Sequence, residues 1–317
     1  MHVLGIDISK DTLVCCLLQG SAPEAFELPN SLPGMRKLKE RLPEATLVCF
    51  ESTGPYGKLL IATLGADFSL HQLNDNQIKA AGSMSRTKTD QRDARLIAEA
   101  GRQLALLKPD VLATTRVHWN EENENLQLLV SEYERLKDQL VSRKCQLEAL
   151  SVNPARQARK IEKRIRAEIA TIKKTQARVH AEIEAAIANC PAAQLIQSIP
   201  GLGVLNAAAL AAKIGDIERF ESADKLKGYV GAYPRRNQSG KHEAPSRMAK
   251  HGSTLIRHLL WNAAKIAARH NTVCRELFER LVAKGKHAAS AYGAVMRKLV
   301  QLVYGVLRTR EPFKLST

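Results

Sequence analysis

Aromatic side chains are scarce in this 317-residue chain, at 4% of positions, and no apolar run reaches the roughly 18 residues that a membrane-spanning helix needs. No basic helix carries the broad aromatic face with which amphipathic segments settle onto lipid. The six cysteines, at positions 15, 16, 49, 145, 190 and 274, contain no C-x-x-C pair and have no His-rich companion. This excludes the common zinc spacings and a disulfide framework, and leaves reduced, mostly buried thiols. The opening ten residues read as a strand with an acidic residue in it rather than as a signal peptide, so the expectation is a cytoplasmic protein with no membrane partner. Internal repeats and low-complexity tracts are also lacking. With 44% hydrophobic residues, the chain can bury one or two cores, which rules out a wholly disordered polymer.

Negative charge is the other shortage. Lys and Arg number 48 against 32 Asp and Glu, for a net charge of +16. The excess is not spread evenly: residues 1–110 hold 13 of each sign, residues 111–190 hold 14 against 11, and residues 191–317 hold 21 against 8. A basic C-terminal third points to a polyanionic partner, and nucleic acid fits better than an anionic membrane, given the missing aromatic faces. A merely solvated basic surface is the alternative.

Short apolar runs at His2 to Asp7, Thr12 to Leu18, Ala45 to Phe50 and Ser69 to Leu73 predict strands, with helical stretches at Ser31 to Arg41, Tyr56 to Leu64 and Gln91 to Leu104. Strands alternating with helices argue for an α/β domain with a mixed sheet and functional groups at strand ends. From Leu126 a heptad follows, with 126, 133, 140 and 147 at one position and 129, 136, 143 and 150 at the other, and only Arg143 is polar. A second periodic series runs from Ile161 to Ile187, so two long helices joined at Pro154 predict an antiparallel hairpin that projects as an arm and pairs with another arm or chain; an intramolecular helical pair with no partner is the alternative. The last third reads as helical again, with a Gly-, Pro- and Arg-rich loop over Tyr229 to Lys241.

Three constellations carry chemistry. Asp7 and Glu51 end predicted strands, while Asp90 and Asp93 share one face at the start of a helix. Four converging carboxylates repel one another unless a hard divalent cation gathers them, and such a site suits phosphodiester chemistry. The same residues also fit a helix N-terminus and a turn. Ile199-Pro-Gly-Leu-Gly203 is similar to the hairpin of a helix-hairpin-helix element, in which Gly201 and Gly203 would let backbone N–H groups approach a phosphate; a plain packing turn fits equally. Ser239, followed by Gly240 and flanked by Arg235, Arg236, Lys241 and Arg247, has the access and the cations a nucleophile attacking phosphorus needs. On chemistry alone, a Ser-Gly pair is more often a turn.

Six motifs in order resolve these readings: Gly5-Ile-Asp7, Glu51-Ser-Thr-Gly-Pro-Tyr56, Lys88-Thr-Asp90-Gln-Arg-Asp93-Ala94, Ile199-Pro-Gly-Leu-Gly203, Gly231-Ala-Tyr-Pro234 through Ser239-Gly240, and Ser246-Arg-Met-Ala-Lys250-His-Gly252. In order and spacing the chain resembles the DEDD transposases of bacterial insertion sequences, the IS one-ten class. It departs in having Gly231-Ala-Tyr-Pro where Gly-Leu-x-Pro is common, and Arg247-Met-Ala-Lys250 where Arg-x-Ser-Lys is usual. The resemblance implies an α/β RuvC-like, ribonuclease-H-type domain over residues 1–112, a long antiparallel coiled-coil arm over 113–190, and a mostly α C-terminal transposase domain with a helix-hairpin-helix-like element over 191–317. It implies Mg²⁺, with Mn²⁺ as the alternative, held by Asp7, Glu51, Asp90 and Asp93. It further implies that Ser239 attacks the DNA backbone, and that Arg235, Arg236, Lys241, Arg247 and Lys250 contact phosphates. The implied partners are the element ends and target DNA, an element-encoded noncoding guide RNA, and further copies of the chain in a dimer or tetramer. Two other functions fit the residues: a RuvC-like nuclease or junction resolvase that hydrolyses DNA with water, and a non-catalytic nucleic-acid-binding protein derived from a transposase.

Overall fold

The computed structural model describes residues 1–20, 22–51, 54–80, 89–235, 238–239, 242–243, 247–248 and 253–314; between 234 and 248 only the backbone is described. The chain forms two compact units, Met1–Asn120 and Glu121–Thr317.

The first unit is built on a five-stranded mixed sheet. Strands β1 (Val3–Ile8), β2 (Thr12–Gln19) and β3 (Ala22–Pro29) form an antiparallel meander. Helix α1 (Leu32–Arg41) then leads to β4 (Leu47–Glu51), and α2 (Lys58–Leu64) leads to β5 (Ser69–Leu73). The spatial order is β3-β2-β1-β4-β5, with β4 and β5 parallel to β1. Helices α3 (Asp75–Lys79), α4 (Asp90–Leu107) and α5 (Pro109–Ala113) complete the unit. Ser31 caps α1 by accepting from the Gly34 amide, and Asn74 with Gln77 forms a reciprocal capping box at α3.

Strand β3 was not expected from the sequence. It is an edge strand whose residues are alternately exposed and half-buried, and it carries Pro23, Pro29, Glu24 and Glu27. These are the residues with which an exposed edge discourages pairing with other chains, and they mask the apolar alternation of Phe26 and Leu28.

Alternation along β1 sets the layers. Leu4, Ile6 and Ile8 point to one face and pack with Met35 and Leu38 of α1 and Leu60 and Leu64 of α2. The opposite face, which carries Val3, Gly5 and Asp7, is covered by α4 through its small residues. There Val3 and Cys49 pack with Ile97, Ala98 and Ala100, and Val14 and Cys16 pack with Ala94. A Cβ at Gly5 would lie 2.1 Å from the Ala94 carbonyl oxygen and 2.4 Å from the Ala98 amide nitrogen, and one at Gly101 would lie 2.3 Å from the Cys49 sulfur. The helix therefore rests on the backbone of the sheet. Burial pushes the Cys15 and Cys49 thiols up to about 12 and Cys274 up to about 11, while Cys145 is exposed.

The second unit begins with α6 (Glu121–Ser151) and α7 (Arg156–Ala188). The Arg143–Glu168 ion pair at 2.9 Å and the Tyr133–His180 ring contact show that the two helices run antiparallel. At the base of the hairpin, Leu126, Val130, Val179 and Ile183 enter the core formed by α8 (Pro191–Gln197), α9 (Val204–Ile214) and later helices. Farther out the buried seam narrows to Leu140, Ile165 and Ile169. Helix α10 (Ala223–Val230), capped by Ser222 and closed by Gly231 at φ 73°, precedes four two-residue strands: β6 (Pro234–Arg235), β7 (Gln238–Ser239), β8 (His242–Glu243) and β9 (Arg247–Met248). Helices α11 (Thr254–His270), α12 (Thr272–Ala283) and α13 (Ala288–Thr309) close the unit. Among the described residues, no helix is long and apolar enough to cross a membrane.

His71 on β5 is buried and anchors the segment after α5. Its Nδ1 lies 3.0 Å from the Leu112 carbonyl and 3.0 Å from Thr115 Oγ1, and its Nε2 lies 2.9 Å from Ser69 Oγ. Because a carbonyl only accepts, Nδ1 carries the proton and Nε2 accepts from the Ser69 hydroxyl. Burial, the largest influence, holds the imidazole below its ordinary value despite the Leu112 bond. The neutral form is thus favoured on folding, and its contribution to stability is complete above about pH 6.5 and is lost as pH falls through the folded value. In denaturant unfolding between pH 7.5 and pH 5, the wild-type midpoint should therefore fall more steeply than that of His71→Gln. Parallel slopes would contradict this assignment.

Candidate active site

Because β1 alternates, Asp7 lies on the same face as Gly5, two residues earlier, so it points toward the end of the sheet where α4 begins. Ala94 and Ala98 sit over Gly5 and Gly101 over Val3, so α4 runs opposite to β1 and its first turn lies at Asp7. That turn carries Asp90 and Asp93, where the partial positive charge of the helix N-terminus favours carboxylates. Ligand oxygens of Asp7, Asp90 and Asp93 all lie within 4.8 Å of one another, with Asp90 exposed and the other two half-buried.

Glu51 stands outside this group of three. Phe50 pairs with Ile6, so Glu51 is one register step from Asp7 on the neighbouring parallel strand, on the face of the sheet that α4 covers. The backbone places the fourth acid beside the cluster.

The donor set consists of hard carboxylate oxygens, with Asp90 exposed and Asp7 and Asp93 half-buried. That chemistry suits a divalent cation of the Mg²⁺ or Mn²⁺ type and would not suit a soft thiolate-seeking metal. Like charges at this separation repel by about 1 kcal/mol even at the dielectric of water, so a cation would relieve a repulsion that the fold itself creates.

Beside the first turns of α4 is a cleft of about 600 Å³, lined from the helix by Arg92, Arg95 and Glu99 and from the sheet by Cys16 and Ala25. Arg95 pairs with Glu99 at 2.9 Å. Sequence reasoning passed over both arginines, although Gln91-Arg92-Asp93-Ala94-Arg95 interleaves cations with the acids on adjoining faces of one helix.

The other expected residues belong to the second unit. Ser239 pairs through its backbone with His242, and Gln238 pairs with Glu243. Arg235 pairs with Arg247, and Pro234 with Met248. In sequence the β6–β9 ladder encloses the β7–β8 ladder, the serine hairpin, so the Arg235–Arg247 pairing brackets the Ser239–His242 pairing. Arg236, Lys241 and Lys250 lie outside the described residues.

Gly201 has a packing role. At φ 103°, its missing Cβ would approach Ala267 of α11 to within 2.6 Å, and the adjacent Pro200 carbonyl accepts from the buried Asn271 side chain at 3.3 Å. Asn271 in turn caps α12 by accepting from Cys274, so it staples the turn to the helix. A Cβ at Gly203 would meet nothing within 4 Å, which leaves the start of α9 open.

Comparison with known proteins places this geometry in a class. A family model described as a transposase of the DEDD, IS110 type matches residues 4–151, and one described as the transposase IS116/IS110/IS902 family matches residues 193–279. The chain belongs to this family and is an enzyme of the DNA transposase and recombinase class. It is 29% identical over 324 residues to the pilin gene-inverting protein of Moraxella bovis, covering 98% of this chain and 97% of that one. It is also 29% identical over 124 residues to the transposase of insertion sequence IS1111A from Coxiella burnetii, covering 38% of this chain and 34% of the relative. Among solved structures, RuvC of T. thermophilus bound to a Holliday junction substrate matches with a TM-score of 0.25 and 16% identity, covering 34% of this chain and 96% of that chain.

If the carboxylates are held together against their repulsion, Asp90→Asn should raise thermal stability by a few degrees in chelator, since about 1 kcal/mol moves the melting of a domain this size by that much. Millimolar Mn²⁺ should then stabilise wild type but not the variant. An equal Mn²⁺ response in both proteins, measured by calorimetry, would contradict the site.

Proposed function

We propose that this enzyme cuts and rejoins DNA by phosphoryl transfer from strand to serine and back, with Ser239 as the nucleophile and Asp7, Glu51, Asp90 and Asp93 as the second half of the catalytic apparatus. The observation that carries this reading is the convergence of Asp7, Asp90 and Asp93 at one end of the sheet, with Glu51 one register step away. A Mg²⁺ or Mn²⁺ ion held there would neutralise the charge that builds on the phosphate oxygens. Arg92, in the adjoining cleft, would hold the neighbouring phosphate and keep the strand in line.

In the transfer, the Ser239 hydroxyl loses its proton to a base as its oxygen bonds to phosphorus. The bond to one strand end breaks, and that end leaves as a free hydroxyl. Each phosphodiester consumed is replaced by a phosphoserine ester, so the bond energy is retained and rejoining needs no external energy source. Arg235, Arg236, Lys241, Arg247 and Lys250, together with the open backbone at Gly203, supply phosphate contacts around the serine hairpin.

Staged strand exchange needs more than one active site, so the enzyme acts as a dimer or tetramer, with the carboxylate site of one subunit serving the serine of another. The α6–α7 arm, apolar and exposed at Val141 and Val152, provides the contact between copies. An element-encoded noncoding RNA supplies sequence choice by base pairing, which suits a basic chain without an evident base-reading helix. The near full-length match to a gene-inverting protein supports inversion of a DNA segment as readily as excision and insertion of an element; the same bond chemistry serves both.

Incubation with element-end DNA, the flanking RNA transcript and Mg²⁺ should give a denaturant-resistant protein–DNA adduct with wild type and none with Ser239→Ala or Asp90→Ala. Cleavage by Ser239→Ala at the wild-type rate, without adduct, would make the enzyme a hydrolytic nuclease.

A further inference from the structure

The second unit contains a groove of about 1150 Å³ that none of the motifs above predicts. It exceeds the roughly 300–1,000 Å³ of a small-molecule cleft. Its walls are three helix faces, each read at helical spacing. From α13 come Ala294, Arg297, Lys298 and Gln301, from α12 Val273, Glu276, Leu277 and Arg280, and from α10 Asp224, Lys227 and Gly228.

Four cations thus face the groove against two acids. Lys227 is paired with Asp224 at 2.9 Å, whereas Arg280, Arg297 and Lys298 form no ion pair among the described residues. Arg297 and Lys298 are also half-buried. Partly desolvated cations without counter-ions cost free energy in the free protein, and an anion in the groove would recover it. Gly228 lines the groove as an exposed position, and an added side chain there would enter open space, since its Cβ would meet nothing within 4 Å. Tyr233 lines the groove one residue before β6. Six residues span at most about 20 Å, so Tyr233, at the edge of the groove, lies within that distance of Ser239.

We infer that this groove holds a phosphodiester strand, with Arg297, Lys298 and Arg280 on its phosphates, and leads it toward the serine hairpin. The inference rests on the proposed nucleic-acid chemistry and adds to it a track assigned to α10, α12 and α13. DNA and RNA share the phosphate that this site would recognise, and the test separates them.

The experiment is fluorescence anisotropy of the full-length protein with a labelled single-stranded DNA and the RNA of the same sequence, across a salt series. The variants are the double Arg297→Gln/Lys298→Gln and the single Gly228→Leu, which fills the groove without removing charge and favours the helix. A double Lys265→Gln/Arg269→Gln on exposed positions of α11 controls for net charge. The groove double variant should bind at least tenfold more weakly, with the slope of log affinity against log salt reduced by about 1.4, as expected for two lost single-strand phosphate contacts. Gly228→Leu should weaken binding several-fold, and the control should change it less than about twofold. Loss confined to RNA or to DNA identifies the strand, and loss of both shows a shared track. Groove variants that bind both strands like the control would overturn this inference alone. A wild-type protein that binds neither strand would overturn the proposed function as well.

Discussion

The seating of α4 on the backbone of β1 at Gly5 is the contact on which the catalytic end of the first unit depends. A helix is normally held off a sheet by the side chains between them. Here Gly5, Ala94, Ala98 and Gly101 remove that spacer, and a methyl group at position 5 would fall within 2.1 Å of a helix carbonyl. The helix is thereby fixed in height and direction, and its first turn is delivered to Asp7. Asp90 and Asp93 are then carried to a strand end that alternation had already turned toward them. The three acids converge because apolar packing elsewhere in the unit stabilises their approach, and that packing holds them together against their mutual repulsion.

The second unit is organised differently. Within its core, α9 sets a layer of mostly small residues, Ala207 through Ala212 with Leu210 among them, between the hairpin base and the closing helices. Close helix packing leaves little room inside, so polar groups are displaced to the rims. The excess positive charge is carried mainly by α11 (Arg257, Lys265, Arg269) and α13 (Arg297, Lys298, Arg308), neither of which holds an acid, and by residues 234–250. The Gly201 turn belongs to this packing, since its glycine is required by Ala267 and its carbonyl is held by Asn271.

Much of this was legible in the sequence wherever the signal is local. Strand ends at Asp7 and Glu51, the i, i+3 pair at Asp90 and Asp93, and the break near Pro154 are set by alternation, helical spacing and proline, all of which act within a few residues. The edge strand β3 escaped because its exposed face requires charges and prolines that break the apolar alternation. Gly5 could be read as part of a motif, but its physical role could not, because the atoms it makes room for belong to Ala94 and Ala98 on a distant helix. The groove on α10, α12 and α13 was hidden for the same reason. Each helix shows only an ordinary mixed face, and the concentration of unpaired cations exists only after folding. For Gly201, a local motif suggested phosphate binding, and the fold supplies a packing reason that no neighbour in sequence reveals.

The most direct test is a titration of Mn²⁺ followed by electron paramagnetic resonance on wild type and on Gly5→Ala, with circular dichroism confirming that the variant keeps its helix content. Gly5 is no ligand, so a ligand-removal effect is excluded. Wild type should bind Mn²⁺ saturably, and the folded variant should bind it at least tenfold more weakly, because α4 must lift from β1 and draw Asp90 and Asp93 away from Asp7. A folded Gly5→Ala protein with wild-type Mn²⁺ affinity would show that the close seating of α4 does not build the site.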